Sequence, residues 1–158
     1  MSTSPSLALM YSWPLFEAGR HMDLGCDFAC DGVDDFWLSA EDDALLAARG
    51  IGRWSCDLAD GRLSWSSGVY DLFGLPRGIP VSRDEAVSLY GELSRAVMER
   101  LRAYAIRHCR GFTLDAEVVP RQGSPRWMRL VAAPIWENGR AVRLHGFKRD
   151  VTRDYRLS

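Results

Sequence analysis

The sequence predicts one α+β domain built around a five-stranded antiparallel sheet. Two strand-forming runs come first, a block of helix-forming segments follows, and three more strand-forming runs lie towards the C-terminus. Strands that are grouped on either side of a helical block favour an antiparallel sheet, because a parallel sheet alternates strand with helix. The chain has 158 residues, of which 47% are hydrophobic, and this is enough for a single domain with its own core.

Residues 1–38 are expected to form an N-terminal extension outside this domain. They are rich in Ser, Gly and Asp but are interrupted by large apolar side chains. Disordered tails are poor in such side chains, so we expect the extension to be partly ordered or to dock on its own domain or a partner. Cys26 and Cys30, with His21 nearby, match no zinc-binding spacing, and no metal is expected.

Charge and hydropathy exclude two classes of partner. The formal net charge is -1, so the chain lacks the basic excess with which nucleic-acid binders neutralise phosphates. The apolar run at residues 7–16 has no basic residue before it, and no window reaches the roughly 20 apolar residues of a membrane span. We therefore expect a cytoplasmic protein that neither binds nucleic acid nor inserts into a membrane.

The first predicted helix covers residues 39–49. Ser39, with Asp42 three residues later, is a helix-start signal, and Gly50 follows the last turn. The helix is amphipathic and forms an N-terminal cap on the domain, which we place at residues 39–152. We expect this helix, Leu45 included, and the outer sheet face to form a homodimer contact.

Turn and capping residues define the next elements. Asp60-Gly61 favours the positive backbone angles of a tight turn, which predicts a hairpin between residues 51–58 and 63–66. A short helix follows and is expected to end at Gly74. The next helix is expected to start at Ser82, because Glu85 stands three residues later in a capping-box arrangement.

The longest helix is predicted close to residues 92–111. Apolar side chains recur on one face at spacings of three and four. That face consists of Leu93, Val97, Leu101, Tyr104 and His108. Arg107 and Arg110 lie near its end, where cations are favoured, and Gly111 is expected to adopt the left-handed capping conformation.

Three strands follow at residues 112–119, 126–136 and 141–151. Sorting by alternate residues gives the first strand one apolar face. This face consists of Phe112, Leu114, Ala116 and Val118. The middle strand is apolar on both sides, so we expect helices on one face of the sheet and the N-terminal segment or a second subunit on the other. His145, on the side opposite Leu144, is expected to face outwards.

Short motifs occur in a fixed order between about residue 45 and residue 152. They are "GRWSCDL", "GRLSWS", "YDLFG", "GSPRWMR", Gly146 and "DVT". In this order they resemble the PAS domain family, in its PAS fold-3 type subgroup, over more than two thirds of the chain. The resemblance implies a five-stranded antiparallel sheet with helices over one face, and a sensory or protein-interaction role without catalysis. One departure is "YGEL" at residues 90–93, where the family commonly has H-P-x-D.

The resemblance raises the question of a cofactor. Light-sensing relatives need a reactive Cys in an "NCRFLQ" helix, which this chain lacks, so no flavin is expected. Haem-binding relatives use a His on the long helix. His108 lies near the end of that helix, where the helix dipole alone favours a His, and haem is not expected either.

The space between sheet and helices is the candidate ligand pocket. The residues expected to line it are Trp54, Cys56, Trp65, Tyr70, Phe73, Leu101, Tyr104, Leu114 and Leu130. Two interpretations stay open at this point. Either these side chains leave an apolar pocket, or they fill the space completely.

The expected function is that of a stand-alone, non-enzymatic regulator of bacterial two-component signalling, acting in trans on a partner such as a histidine kinase. The alternative is a small-molecule or haem sensor whose ligand controls the interaction. No nucleophile and base are placed for catalysis, since Ser66-Ser67 lack a G-x-S-x-G setting.

The residues expected at the signalling interface are Leu45, Trp127, Asp150 and Thr152. Asp150 and Thr152 are expected to fix the exit of the last strand by local hydrogen bonds. Residues 153–158 are interpreted as a short C-terminal stub. If 158 residues is the natural length, the output must be a separate protein.

Overall fold

Antiparallel strands form one sheet in this computed structural model, which describes residues 39–156 and the strand at residues 11–12. The strands are β1 (Tyr11–Ser12), β2 (Ile51–Asp57), β3 (Leu63–Trp65), β4 (Phe112–Val118), β5 (Arg126–Glu137) and β6 (Arg140–Asp150). The helices of the described ranges are α1 (Ala40–Ala48), α2 (Ser67–Phe73), α3 (Arg83–Ser88), α4 (Glu92–His108) and α5 (Thr152–Arg156). None of them is long and apolar enough to cross a membrane.

The strand order in the sheet is β1-β4-β5-β6-β2-β3. The five strands predicted from the sequence are confirmed, and all neighbours pair antiparallel. The two-residue β1 adds a short pair at the β4 edge, with Tyr11 opposite Leu114. The rest of the predicted extension at residues 1–38, with its cysteines and histidine, lies outside the described residues.

The predicted helix starts and turns are confirmed. The Ser39 hydroxyl accepts a hydrogen bond from the Asp42 N–H at 3.1 Å, and the Ser82 hydroxyl accepts one from the Glu85 N–H at 3.1 Å. Each bond satisfies an N–H that the helix itself leaves without a partner. Gly74 ends α2 in the left-handed conformation, with φ +65°.

The end of α4 differs from the prediction. Cys109, and not Gly111, adopts the left-handed conformation, with φ +53°. The Arg110 N–H then bonds to the Ala105 carbonyl at 3.2 Å, as in a Schellman ending. The helix therefore stops early enough for Phe112 to begin β4.

The buried face of α4 also differs from the predicted one. It consists of Ser94, Met98, Leu101 and Ala105. Leu93 and Tyr104 are 73% and 44% exposed. The prediction followed the largest apolar side chains, whereas the small Ser94 and Ala105 are buried beside Met98 and Leu101. The Ser94 hydroxyl accepts a hydrogen bond from the Glu117 N–H of β4 at 2.8 Å.

The inner face of the sheet carries the core, under α2, α3 and α4. Its alternating residues on β4 and β5 are buried, in agreement with the predicted sorting. They are Phe112, Leu114, Ala116, Val118, Met128, Leu130 and Ala132. Helix α2 approaches β2 so closely that a Cβ on Gly68 would lie 2.0 Å from the Ile51 carbonyl oxygen.

The outer face is buried around the centre of the sheet as well. Ser55, Val131 and Phe147 are 5%, 6% and 0% exposed. The prediction that both faces are covered is therefore confirmed at these positions. His145 lies on the outer face, as expected from its position opposite Leu144, but it is only 9% exposed because this face is covered there.

Candidate functional site

A cavity of about 50 Å³ lies between the inner face of the sheet and helices α3 and α4. Trp54, Trp65 and Leu130 form apolar walls on the sheet side, and Ala86 and Met98 face them from the helices. A volume of this size holds a few water molecules or a very small ligand. The large core side chains therefore do not fill the space completely.

Eight of the nine residues predicted to line a pocket fall into three groups. Trp54, Cys56, Trp65 and Leu130 line the cavity. Phe73, Leu101 and Leu114 are buried in the surrounding core. Tyr70 is half-buried and donates its hydroxyl proton to the Ile79 carbonyl at 2.7 Å, and burial raises its pKa.

Tyr104 is the predicted pocket residue that the structure contradicts. It lies on the exposed side of α4, because the buried face of this helix runs through Leu101 and Ala105 instead. Its ring centroid is 4.2 Å from that of His108, which is also exposed. The histidine considered as a haem ligand therefore does not line the cavity.

Lys148 is the residue of this site that the sequence reasoning missed. It is 6% exposed and lies on β6 in the cavity wall. Its Nζ is surrounded by aromatic rings, at distances from the ring centroids of 4.8 Å to Phe73, 5.3 Å to Trp54, 5.7 Å to Tyr90 and 5.8 Å to Trp65. Ring faces of this kind attract a cation.

Two signals in the sequence could have identified Lys148. Alternation from Leu144 through Gly146 places it on the inner face of the sheet. Lys148 is also the only lysine of the chain. Apart from the histidines, every other basic residue is an arginine.

Tyr90 completes the polar part of the cavity. Its hydroxyl oxygen accepts a hydrogen bond from Lys148 Nζ at 3.2 Å, and the side chain is 6% exposed. Tyr90 comes from the "YGEL" stretch, and its backbone bridges to Val118 of β4. The segment that departs from the family motif therefore supplies the Tyr90 hydroxyl of the cavity.

The charge of the cavity lining is positive. Arg83 and Arg102 line it together with Lys148, and the described lining residues include no carboxylate and no histidine. Arg83 is paired with Glu99. Burial, aided by Arg83, lowers the pKa of Lys148 to about 7, while Cys56 acts in the opposite direction.

A second polar cluster lies on the outer face. Asp115 of β4 is fully buried and forms two hydrogen bonds with Arg129 of β5, at 2.7 and 2.9 Å. Its Oδ2 also accepts the hydroxyl proton of Tyr155 on α5 at 2.6 Å. Burial and this hydrogen bond raise the pKa of Tyr155.

Helix α5 is held on the outer face by a ring contact too. The rings of Trp127 and Tyr155 stack with centroids 4.3 Å apart and an interplanar angle of 9°. The residues interpreted from the sequence as a C-terminal stub therefore begin as a short helix that packs on the sheet.

The exit of β6 is fixed by the hydrogen bonds expected from the sequence. The Thr152 N–H donates to Asp150 Oδ1 at 2.9 Å, and the Trp127 N–H donates to Thr152 Oγ1 at 2.9 Å. Three of the four predicted interface residues are thus brought together at one place. The fourth, Leu45, lies on α1 and is 56% exposed.

Comparison of the sequence with family models and with curated proteins gives no match. Solved structures do resemble the fold. A sensory box histidine kinase/response regulator from Burkholderia thailandensis is 19% identical, with a TM-score of 0.62 over 74% of this chain and 88% of that chain. The N-terminal domain of a diguanylate cyclase with PAS/PAC sensor from Marinobacter aquaeolei is 16% identical, with a TM-score of 0.61 over 66% and 98%.

An RNA-binding light-oxygen-voltage receptor is also similar, at 13% identity and a TM-score of 0.59. The match covers 66% of this chain and 30% of the receptor. This chain therefore corresponds to less than a third of the length of that protein.

Proposed function

This chain has the PAS fold, and from that premise we propose that it is a non-enzymatic sensory module that regulates a signalling protein in trans. The proposed partner is a histidine kinase of bacterial two-component signalling, in the cytoplasm. One of the similar structures belongs to a sensory box histidine kinase/response regulator, which supports this choice of partner. We also propose that the module forms a homodimer through α1.

The observation that carries this proposal is the composition of the cavity. Its described lining residues are mostly apolar or aromatic, with the buried polar groups of Lys148 and Tyr90 at one side. A small apolar volume with a few polar groups is suited to binding a ligand.

The cavity and the proposed interface share two strands. On β5, Leu130 faces the cavity while its neighbour Arg129 holds Asp115 on the outer face. On β6, Lys148 lines the cavity two residues before Asp150, which fixes the exit of the strand. A change in the cavity that moves these strands is therefore expected to alter the surface around Trp127 and α5.

The test is to capture the partner with the intact protein and then reconstitute the pair. Histidine kinases that co-purify would be assayed for autophosphorylation with and without added protein. We expect the rate to change, and we expect Trp127→Ala to remove the change.

Trp136→Ala is the matched control, because Trp136 lies on the same strand and is 59% exposed, yet makes no described ring stack with α5. It is expected to leave regulation intact. Unaltered kinase activity at saturating protein would contradict the proposal.

A second candidate function is favoured by the Lys148 cavity: the module is a sensor whose small-molecule ligand controls the interaction. The absorption spectrum of the purified protein distinguishes the kinds of ligand. A Soret or flavin band would identify a pigment, whereas we expect a colourless ligand.

A further inference from the structure

We propose that the cavity binds a short-chain carboxylate, whose oxygens take hydrogen bonds from Lys148 Nζ and the Tyr90 hydroxyl. This inference rests on the sensory function proposed above and names the class of signal. Three observations carry it: a buried amino group, a buried hydroxyl and a small apolar volume beside them.

The first observation is that the Lys148 amino group is buried and has no carboxylate partner in the part of the chain that the structure describes. Its side chain is 6% exposed, and its described hydrogen bond goes to a neutral hydroxyl. Aromatic faces offset only part of the cost of removing an ammonium from water. An anion in the cavity would stabilise the charged form of this amino group.

The second observation concerns the Tyr90 hydroxyl. Its oxygen accepts a hydrogen bond from Lys148, and none of the described residues 39–156 accepts its own proton. A buried donor without an acceptor costs about 1–3 kcal/mol. The two donors lie 3.2 Å apart in the cavity wall, so the two oxygens of one carboxylate can accept from both.

The charge around the cavity favours the same class of ligand. Arg102 lines it as well and adds a positive charge, whereas the charge of Arg83 is paired with Glu99, which lies outside the described lining. Charges of one sign along a cleft with low-dielectric walls raise the local concentration of the opposite ion.

The size and the walls restrict the anion further. About 50 Å³ accommodates only a few heavy atoms, and Trp65, Leu130 and Leu144 give the volume apolar sides. A carboxylate with one to three further carbons places its charge at Lys148 and its tail against these walls.

The single lysine of the chain makes the test direct. Protein grown with isotope-labelled lysine gives one side-chain NMR signal, from Lys148. The pure full-length protein would be titrated with acetate, propionate and butyrate, with propionamide as the neutral isostere and nitrate as an inorganic anion.

We expect the carboxylates to shift the Lys148 signal saturably and to raise its pKa, because the bound anion stabilises the ammonium. Affinity is expected to rise about fourfold for each methylene until the cavity is full. Equal affinity for propionamide, or nitrate binding as tightly as the best carboxylate, would overturn the assignment.

Two variants assign the binding to these groups by calorimetry. Lys148→Met keeps the length of the side chain, removes its charge and is expected to weaken binding by at least about tenfold. Tyr90→Phe is expected to weaken it by about fivefold while the fold is kept. Unchanged affinity in both folded variants would place the ligand elsewhere.

Binding is measured on the isolated protein, so its outcome is independent of the kinase assay. A carboxylate that binds without any effect on a kinase would refute the signalling role alone. Regulation without carboxylate binding would refute the ligand class alone.

Discussion

At Lys148, burial and aromatic contacts act on the ammonium in opposite directions. Burial removes the charge from water and lowers the pKa to about 7, and Arg83 adds to this effect. The rings of Phe73 and Trp54 attract the cation and limit the loss. The folded protein therefore holds the proton of this residue less tightly than the unfolded chain does.

This difference predicts a pH dependence of stability. The pKa of Lys148 is about 7 in the folded protein, whereas its ordinary value is 10.5. Between these two pH values the unfolded chain therefore binds more protons than the folded protein does. The free energy of unfolding should thus rise with pH across this window and stay level below it. We expect a gain of about 3 kcal/mol between about pH 7 and 9.5, relative to Lys148→Met.

Urea denaturation of both proteins across this range measures the gain. Other groups at the cavity, namely Cys56, Arg83, Tyr90 and Arg102, are present in both proteins. The difference between the two curves therefore reports the effect of replacing the Lys148 side chain. Parallel curves would mean that Lys148 does not titrate in this window.

Asp115 is the second residue whose environment leads to a prediction. Asp115→Asn leaves the Arg129 guanidinium without its carboxylate and weakens the bond from Tyr155. We expect a loss of about 2–4 kcal/mol in the free energy of unfolding, because a buried pair loses one charge.

Asp71→Asn provides the comparison for Asp115→Asn. Asp71 pairs with Arg77 at 2.7 Å, but both side chains are largely exposed, and solvent screens such a pair so that it contributes little to stability. Equal losses in the two variants, measured by urea denaturation, would contradict the role given to burial.

Among the elements, strands and helices were not equally predictable. A strand has only two faces, so the alternation from Phe112 to Val118 was enough to assign the buried one. A helix can be rotated about its axis by any angle, so its buried face is harder to assign. On α4 the large side chains of Leu93 and Tyr104 predicted the wrong face, because both are exposed. The small side chain of Ala105 faces the sheet, where it lets α4 pack close to the strands. Amino-acid composition does not reveal how closely a helix packs on a sheet.

Tyr155 helps to hold α5 on the sheet, in addition to the hydrogen bonds of Thr152 at the start of the helix. Tyr155→Ala removes both the ring stack on Trp127 and the hydrogen bond to Asp115. We expect α5 to leave the sheet, with a change in the indole N–H resonance of Trp127 and a loss of about 1–2 kcal/mol.

Tyr155→Phe separates these two contributions. It retains the stack and loses only the hydrogen bond, so the Trp127 resonance should stay close to its wild-type position. A shift as large as that of the Ala variant would show that the hydrogen bond, and not the ring contact, positions α5.

For the molecule as a whole, the sheet and its order of elements could be predicted, whereas the cavity could not. The cavity arises where Trp54 of β2, Lys148 of β6 and Met98 of α4 meet, and these residues are far apart in the chain. Volume left between such residues depends on how several elements pack together. The sequence pattern of one element can therefore identify residues that could line a cavity, but it cannot show whether a cavity exists.

The proposed homodimer is tested at the same scale. Leu45 is 56% exposed on α1, and Leu45→Asp would place a charge in the contact. We expect it to convert a dimer into a monomer in sedimentation or light-scattering measurements. Leu93→Asp on α4 is the control, since Leu93 is 73% exposed and lies outside the proposed contact. An oligomer that persists in Leu45→Asp would refute the α1 dimer.

The burial of the only lysine has a consequence for chemical labelling. A reagent that acylates ε-amines meets a single such amine in this protein, and the cavity walls shield it. With a pKa near 7 that amine is largely neutral in mildly alkaline buffer and is nucleophilic once it is reached. The mass gained at Lys148 over time would therefore report how often the cavity opens, and a bound ligand should slow the gain.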